Sequence, residues 1–416
     1  MTPSLLQRDG SVAVSAAAPS LEARLAAAGA RLGSAIAAAV EGLPGRARGP
    51  AELARQLGID KVLASRTLRA VAHRDPFAIL YAAPGPEPLR RLVRMLEKRG
   101  VEPAIIAQAM AAVDELERVT RDEAGDRSAL EALLSAWLPE ARAEFELRRK
   151  QAAFRAISEL RGVSVDTDLA TVLLHPSSDG VHDDVVWLFG KLGLRRLRAG
   201  SSVKFATRRL TSSEPPRRPQ TLDGASVSGF DGLRLNEFCS APLPPLDVQQ
   251  AGEVVHYTLG DIGIGPKSAV DLVFAEVNRA ELPRRLASDP GRKRHVFAEV
   301  ATPTRLLIFD VLVARGVFPG EPALYVYDTA FDGIANVNDA ARDIDRLDTC
   351  ESVLPLGQGI AKCRAAELPR YVELLRHVCE RLDWNPDGFR GYRCRIEYPL
   401  YGTQVVMAFD PPSPTP

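Results

Sequence analysis

Cysteine is scarce in this chain of 416 residues, which has five cysteines and no pair at the Cys-x-x-Cys spacing. An odd number of widely spaced thiols argues against a disulfide framework and is typical of reduced cysteines that fill a core in the cytoplasm. Net charge is absent too, because 53 Lys and Arg residues balance 53 Asp and Glu residues. This balance argues against a protein that binds polyanions over its whole surface.

Long apolar runs are missing as well. Leu5 and Leu6 near the start are followed at once by Gln7, Arg8 and Asp9, which interrupt the apolar region that a signal peptide requires. No stretch approaches the ~20 apolar residues of a membrane span. These absences predict a cytoplasmic protein without a membrane partner.

Local catalytic signatures are missing, since the chain has neither a Gly-x-Ser-x-Gly elbow nor a His-Glu-x-x-His motif. The segment LGDIGIGPKS at 259–268 has the wrong spacing for a phosphate loop. Pro266 also removes a backbone N–H that such a loop needs, so a turn before a strand is predicted. His182, Asp183 and Asp184 are adjacent in an extended segment and therefore point to alternate faces. We predict no catalytic residue, no metal site and no cofactor.

What the sequence does contain is a helix-turn-helix pattern at residues 49–71, GPAELARQLGIDKVLASRTLRAV. Pro50 can begin the first helix, because the N–H that proline lacks would be unpaired there. Gly58 can end that helix in a left-handed conformation, and Asp60 can cap the second helix. Apolar residues at helical spacing predict a buried stripe on each helix: Leu53, Ala54 and Leu57 on the first, and Leu63, Ala64, Leu68 and Val71 on the second.

The opposite face of the second helix is basic and carries a hydroxyl group, as entry into a major groove requires. Residues 43–100 contain 12 cations and 5 acids, so positive charge is concentrated around this unit of a neutral protein. A solvated helical face would give the same excess, but its coincidence with the helix-turn-helix favours DNA contact. The residues predicted to contact DNA are Arg48, Lys61, Val62, Ser65, Arg66 and Arg69.

The segment ELARQLGIDKVLASRTLRAV resembles the helix-turn-helix core of bacterial winged-helix transcriptional regulators such as the MarR and IclR families. The shared features are the alanine in the first helix, the glycine–hydrophobe–cap turn and the Ser-Arg-x-Leu segment of the second helix. The resemblance covers roughly 25 residues directly, which is part of one supersecondary unit. It implies a winged-helix-like domain that binds double-stranded DNA.

The segment after the second helix departs from that pattern. A winged helix needs a β-hairpin whose tip carries Arg or Lys for the DNA backbone. Phe77–Tyr81 predicts one short strand and Pro84-Gly85-Pro86 predicts a turn, but no cation lies between Pro76 and Glu87. The wing is therefore expected to be truncated, apolar or absent, with Arg90, Arg91 and Arg94 as the nearby basic substitutes.

The patterning along the chain predicts an α+β multidomain protein in four parts. Residues 1–20 form a disordered tail rich in small residues. Residues 21–86 form the helix-turn-helix domain, which opens with an alanine-rich helix. Residues 87–160 form a helical connector or dimerisation region. Residues 161–416 form a mainly antiparallel, β-rich α+β domain.

Eight runs in the last part predict strands: Ala170–His175, Glu253–Leu259, Val270–Val277, His295–Val300, Leu306–Val313, Ala323–Tyr327, Tyr392–Tyr398 and Gln404–Phe409. Two hairpins are predicted, one over 299–307 around Thr302-Pro303-Thr304 and one over 397–405 around the segment from Pro399 to Gly402. A helix is predicted between them on the stripe Leu368, Val372, Leu375, Cys379 and Leu382.

Three functional classes remain open. The leading one is a sequence-specific DNA-binding transcriptional regulator that forms a homodimer and receives a small-molecule or protein effector at its C-terminal domain. The alternative is a scaffold that uses the helix-turn-helix fold for protein–protein contacts. An enzyme with a β-rich catalytic domain is supported by the size of that domain alone. A regulator must leave Lys61, Ser65, Arg66 and Arg69 exposed, whereas a scaffold can bury them.

Overall fold

The computed structural model describes residues 20–45, 47, 49–209, 219–227, 229–243, 246–252, 254–260, 262–284 and 292–411, so the predicted tail lies almost wholly outside the described residues. Contacts group the chain into two compact units, Met1–Phe145 and Glu146–Pro416. The first is helical and the second is β-rich with mostly antiparallel strands, which confirms the α+β multidomain fold. The predicted boundaries at residues 86 and 160 stay predictions.

Helix starts in the first unit follow the local sequence closely. Proline is the first residue of five helices, where its missing N–H costs nothing, and the side chains of Ser20, Asp60 and Asp126 cap three others. The helices are α1 (Leu21–Glu41), α2 (Pro50–Leu57), α3 (Lys61–Ala72), α4 (Pro76–Ala82), α5 (Pro86–Lys98), α6 (Pro103–Val119), α7 (Arg127–Ser135) and α8 (Pro139–Arg161), the last of which continues into the second unit.

Helix α1 is the central core helix of the first unit. Its face that carries Leu25, Leu32 and Ile36 is buried, and it packs against α4, α5 and α6. Gly29 permits the close approach of α4, because a Cβ at Gly29 would lie 2.2 Å from the carbonyl oxygen of Pro76. By length and composition α1 is also the described helix that could cross a membrane. Its buried face is that of a core helix of the first unit.

The predicted strand at Phe77–Tyr81 is wrong, because Pro76–Ala82 is helix α4. Asp75 caps the helix, with its Oδ1 accepting from the backbone N–H of Phe77 at 2.7 Å. Ile79 and Leu80 are buried in the core of the unit. The chain then reaches Pro86, the start of α5, without forming a strand in the described part of the first unit. The chain therefore forms a helix where the sequence predicted a wing strand.

The strands of the second unit form three sheets. They are β1 (Val163–Pro176), β2 (His182–Arg196), β3 (Val203–Arg209), β4 (Leu246–Ala251), β5 (Val254–Leu259), β6 (Val270–Pro283), β7 (Arg294–Glu299), β8 (Thr304–Ala314), β9 (Ala323–Asp328), β10 (Val353–Gln358), β11 (Phe389–Glu397) and β12 (Thr403–Phe409). The sheet orders are β10-β11-β8-β1-β2-β6, β7-β12-β9 and β3-β5-β4. The pair β1–β8 is parallel, and the other pairs within these sheets are antiparallel.

All eight predicted strands are present, but both predicted hairpins are wrong. Strand β7 pairs with β12, and β8 pairs with β11, so each predicted turn is a bend between two sheets. The register is the same on both sides of the bend, since Glu299 pairs with Gln404 and Leu306 pairs with Glu397. Residues 294–314 and 389–409 therefore form one long antiparallel ribbon that belongs to two sheets, which we call the bent ribbon.

Helix α9 (Tyr371–Leu382) packs on the six-stranded sheet. The predicted stripe is largely correct, with Leu375, Cys379 and Leu382 buried. Tyr371 at its start has an hydroxyl group 2.7 Å from Thr171 Oγ1 of β1 and donates to Asp310 Oδ2 of β8 at 2.8 Å. These contacts fix the position of the first turn of α9 on the sheet.

Candidate nucleic-acid interface

The turn between α2 and α3 has the geometry that its residues predict. Gly58 ends α2 with φ +66° and ψ 36°, a left-handed conformation that strains any residue with a side chain. The N–H of Ile59 donates to the carbonyl oxygen of Ala54 at 3.1 Å. Asp60 Oδ1 accepts from the N–H of Val62 at 2.6 Å and caps α3. Local hydrogen bonds therefore fix the start and direction of α3.

The inner face of this helix pair is buried, although not at every predicted position. Leu53, Ala54 and Leu57 of α2 are buried, as the stripe predicts. On α3 the fully buried residues are Ala64, Thr67 and Ala70, whereas the predicted Leu63, Leu68 and Val71 are half-buried. Thr67 is tolerated inside because its hydroxyl donates to the carbonyl oxygen of Leu63 at 2.9 Å.

The outer face of α3 is open to solvent. Lys61, Ser65, Arg66 and Arg69 are all exposed, and Val62 is 66% exposed. Among the described residues, no carboxylate lies within ion-pair distance of the three cations of this face. Arg48, which was also predicted to contact DNA, lies outside the described residues. The structure thus brings five of the six predicted residues to one exposed helical face.

Arg66 has one protein partner that sequence reasoning missed. Its Nη2 donates to the carbonyl oxygen of Ala83 at 3.3 Å, a long hydrogen bond. The same oxygen accepts from Arg127 Nη2 at 3.1 Å, and Arg127 also donates to the carbonyl oxygen of Tyr81 at 2.7 Å. Burial and the nearby Arg66 lower the pKa of the Arg127 guanidinium. Arg66 and Arg127 therefore share the carbonyl oxygen of Ala83, and Arg127 makes the shorter hydrogen bond to it.

The basic residues predicted to substitute for a wing fall into two classes. Arg91 and Arg94 of α5 are exposed. Arg90 is instead held by Glu87, Asp114 and Glu117, and its hydrogen bonds to these carboxylates raise its pKa. Arg90 therefore ties α5 to α6 and is not available to a DNA backbone, which corrects the prediction for this residue.

The fully buried Asp310 and the buried Arg393 of the second unit form a closed network. Arg393 donates from Nε and Nη2 to the two carboxylate oxygens of Asp310, at 2.8 and 2.7 Å. It also donates to the carbonyl oxygens of Cys363 and Arg364. Burial raises the pKa of the Asp310 carboxyl, and the hydrogen bonds from Arg393 oppose that shift. The members of this network thus satisfy one another's hydrogen bonds.

The glycine-rich segment before β6 is a turn, as predicted. Gly263 and Gly265 have φ of +75° and +83°, and a short 3-10 turn, Pro266–Ser268, leads into the strand. Asp261 of this segment lies outside the described residues. Across the described parts of the chain, no group of three His, Cys, Asp or Glu side chains is arranged to hold a metal ion.

Comparison with known proteins assigns neither a family nor a function to this chain. No protein-family model and no curated protein matches the chain. A crystal structure of a candidate protease from Parabacteroides distasonis aligns over 60% of this chain and 41% of its own length, at 8% identity and a TM-score of 0.25. A likeness at this level carries no argument about fold or activity.

Proposed function

We propose that this protein is a sequence-specific DNA-binding transcriptional regulator in which α3 enters the major groove of double-stranded DNA. The observation that carries the proposal is the division of α3 into a buried face and an exposed face with Lys61, Ser65, Arg66 and Arg69. Arg is the side chain that most often reads guanine, and the exposed Val62 suits contact with a thymine methyl group.

We further propose that the protein is a cytoplasmic homodimer. Helix α3 has 12 residues, and one such helix reads a single half-site, whereas a two-fold pair reads two. The proposed interface lies in the helices between residues 87 and 160. The second unit then receives a small-molecule or protein effector and performs no catalysis. Coupling of about 1–3 kcal/mol between effector and DNA is enough for regulation.

One observation favours the scaffold alternative. Helix α4 occupies the position in sequence where a winged helix has its first wing strand, and no Lys or Arg lies between Pro76 and Glu87. Backbone contacts from a wing are therefore missing, and α3 must supply the contacts itself or with α5. In a scaffold the same exposed α3 face would bind another protein, and purified protein would show no preference among DNA fragments.

The test is selection of genomic DNA fragments by the purified full-length protein at several salt concentrations. We expect a small set of enriched sequences, and Arg66→Ala should weaken their binding by roughly 1–3 kcal/mol. The control is Arg315→Ala, which removes an exposed cation of the second unit, outside α3 and outside the proposed interface. Since Arg66 also bonds Ala83, thermal unfolding of the Arg66 variant must match that of the wild type. Absence of salt-sensitive binding to any fragment would contradict the proposal.

A further inference from the structure

A cleft of about 610 Å³ opens in the second unit, between the β1–β2 pair, the segment that precedes α9, and residues 238–240. Its volume falls within the range of small-molecule sites, roughly 300–1,000 Å³. Much of its wall is apolar, and the apolar residues come from five separate segments of the chain: Leu169, Leu192, Phe238, Val273, Leu368 and Leu374. The cleft can therefore bury the apolar body of a ligand.

A β-bulge places two carboxylates at one end of this cleft. The β2–β6 register shifts between Lys191 and Leu194, and Gly193 there has φ +64°. The N–H of Gly193 donates to Asp271 Oδ1 at 2.7 Å. A Cβ at Gly193 would lie 2.5 Å from Asp166 Oδ2, so both conformation and space require glycine. Asp166 and Asp271 therefore flank the same residue.

The two carboxylates differ in their charge partners. Arg195 donates to both oxygens of Asp166, at 2.9 and 2.7 Å. A third carboxylate of the cleft, Glu367, accepts from Arg395 at 2.8 Å. Asp271 has no cation within ion-pair distance among the described residues, and the bond from Gly193 uses only its Oδ1. The cleft thus holds one carboxylate whose charge is not matched by a protein cation.

The cation on the opposite side of the cleft is already engaged. Arg370 donates from Nε and Nη2 to Glu373 and from Nη1 to the carbonyl oxygen of Glu237. Its guanidinium lies 4.5 Å from the centre of the Phe238 ring, which lines the cleft. Arg370 therefore shapes the apolar wall, and its charge is matched by Glu373.

The thiol in the cleft does not suit covalent chemistry. Cys239 Sγ accepts from the N–H of Val273 at 3.2 Å, and burial raises the pKa of the thiol. A neutral thiol is a weak nucleophile. The chemistry of the cleft is thus that of reversible binding.

We propose that this cleft binds an amphipathic monocation, a primary amine attached to an aromatic or aliphatic body, with the ammonium group at Asp271 Oδ2. The apolar body lies against Phe238 and Leu192. This inference rests on the proposed function in so far as it makes the ligand the effector of the second unit. Binding is measured without DNA, so failure here and failure of DNA binding are separate results.

The test is calorimetric titration of the full-length protein with tryptamine, tryptophol and indole-3-acetate, which share a ring and differ in charge. We expect tryptamine to bind at least roughly tenfold more tightly than tryptophol, because a charge-assisted hydrogen bond contributes more than a neutral one. Indole-3-acetate should bind most weakly. Added KCl should weaken tryptamine binding and leave tryptophol binding unchanged.

Asp271→Asn keeps an oxygen for the N–H of Gly193 and removes the charge, so the preference for tryptamine over tryptophol should disappear. The matched control is Asp332→Asn, an exposed aspartate outside the cleft, which should keep the preference. Phe238→Ala should weaken the binding of tryptamine and of tryptophol by the same factor. This variant tests the cleft if the Asp271 variant does not fold. Equal binding of all three ligands, tighter binding of the anion, or no binding at millimolar concentration would overturn the proposal.

Discussion

The salt dependence of DNA binding gives the sharpest test of the exposed α3 face. The chain presents Lys61, Arg66 and Arg69 on that face without a carboxylate partner among the described residues, so the proposed homodimer would present six cations. If each neutralises one phosphate, the slope of log K against log salt is about −0.9 for each, or about −5 in all. Raising KCl from about 50 to 200 mM should then weaken binding by about a thousandfold.

Arg69→Ala removes two of these cations from a dimer. The slope should fall to about −3.6, and the same change in salt should weaken binding by only about 150-fold. The assay is fluorescence anisotropy of a labelled duplex taken from the enriched genomic sequences, titrated at four or more KCl concentrations. Arg315→Ala, in the second unit, should leave the slope at the wild-type value.

Two outcomes would refute this reasoning. A wild-type slope between 0 and −1 would show that α3 does not neutralise phosphates. A slope near −5 that Arg69→Ala leaves unchanged would show that the charges that matter lie elsewhere in the chain. In the second case Arg91 and Arg94 of α5 are the next residues to replace, because both are exposed.

Three further predictions concern stability. Asp60→Ala removes the cap of α3 and should lower the free energy of unfolding by about 1 kcal/mol in a urea titration, while Asp60→Asn should not. Arg393→Met leaves the buried Asp310 carboxylate without its cation and should cost about 3–5 kcal/mol, so an unchanged unfolding midpoint would contradict the network. Burial raises the pKa of Asp183 in the folded protein to about 6, above its ordinary value of 3.8. The contribution of Asp183 to stability is therefore fully present below pH 4, and up to about 3 kcal/mol of it is lost as pH rises through 6. Asp183→Asn should remove this pH dependence in unfolding measurements from pH 4 to 7.

The features predictable from sequence are those fixed by residues close together in the chain. The α2–α3 turn depends on Gly58 and Asp60, and each acts within three residues of its own position. The eight predicted strands were visible because burial on both faces of the sheet produces apolar runs such as that of β8. Strand β10 is mostly exposed and β2 is interrupted by glycines, so neither shows a clear pattern.

The features that sequence did not predict depend on distant partners. Phe77–Tyr81 is a short apolar run that is compatible with a strand or a helix. The helix is favoured by the Asp75 cap and by the packing of Phe77 on Trp137. The ring centroids of Phe77 and Trp137 lie 5.0 Å apart. The cleft at Asp271 is assembled from segments far apart in sequence. Proline and glycine at a bend look the same in sequence as in a chain reversal, which is why the hairpins were predicted.

The bent ribbon ties the alignment of one sheet to that of another. Residues 294–299 pair with 404–409, and residues 306–314 pair with 389–397, in one register. The two segments between these ladders are equally long, so a slip of one residue between β8 and β11 requires the same slip between β7 and β12. Such a slip turns every side chain to the opposite face of its strand. Val311 and Leu312 of β8 and Val405 and Met407 of β12 are all buried, so misalignment would disrupt two apolar layers at once. Only one alignment of the ribbon buries the apolar residues of both sheets, so the packing of each sheet also selects the register of the other.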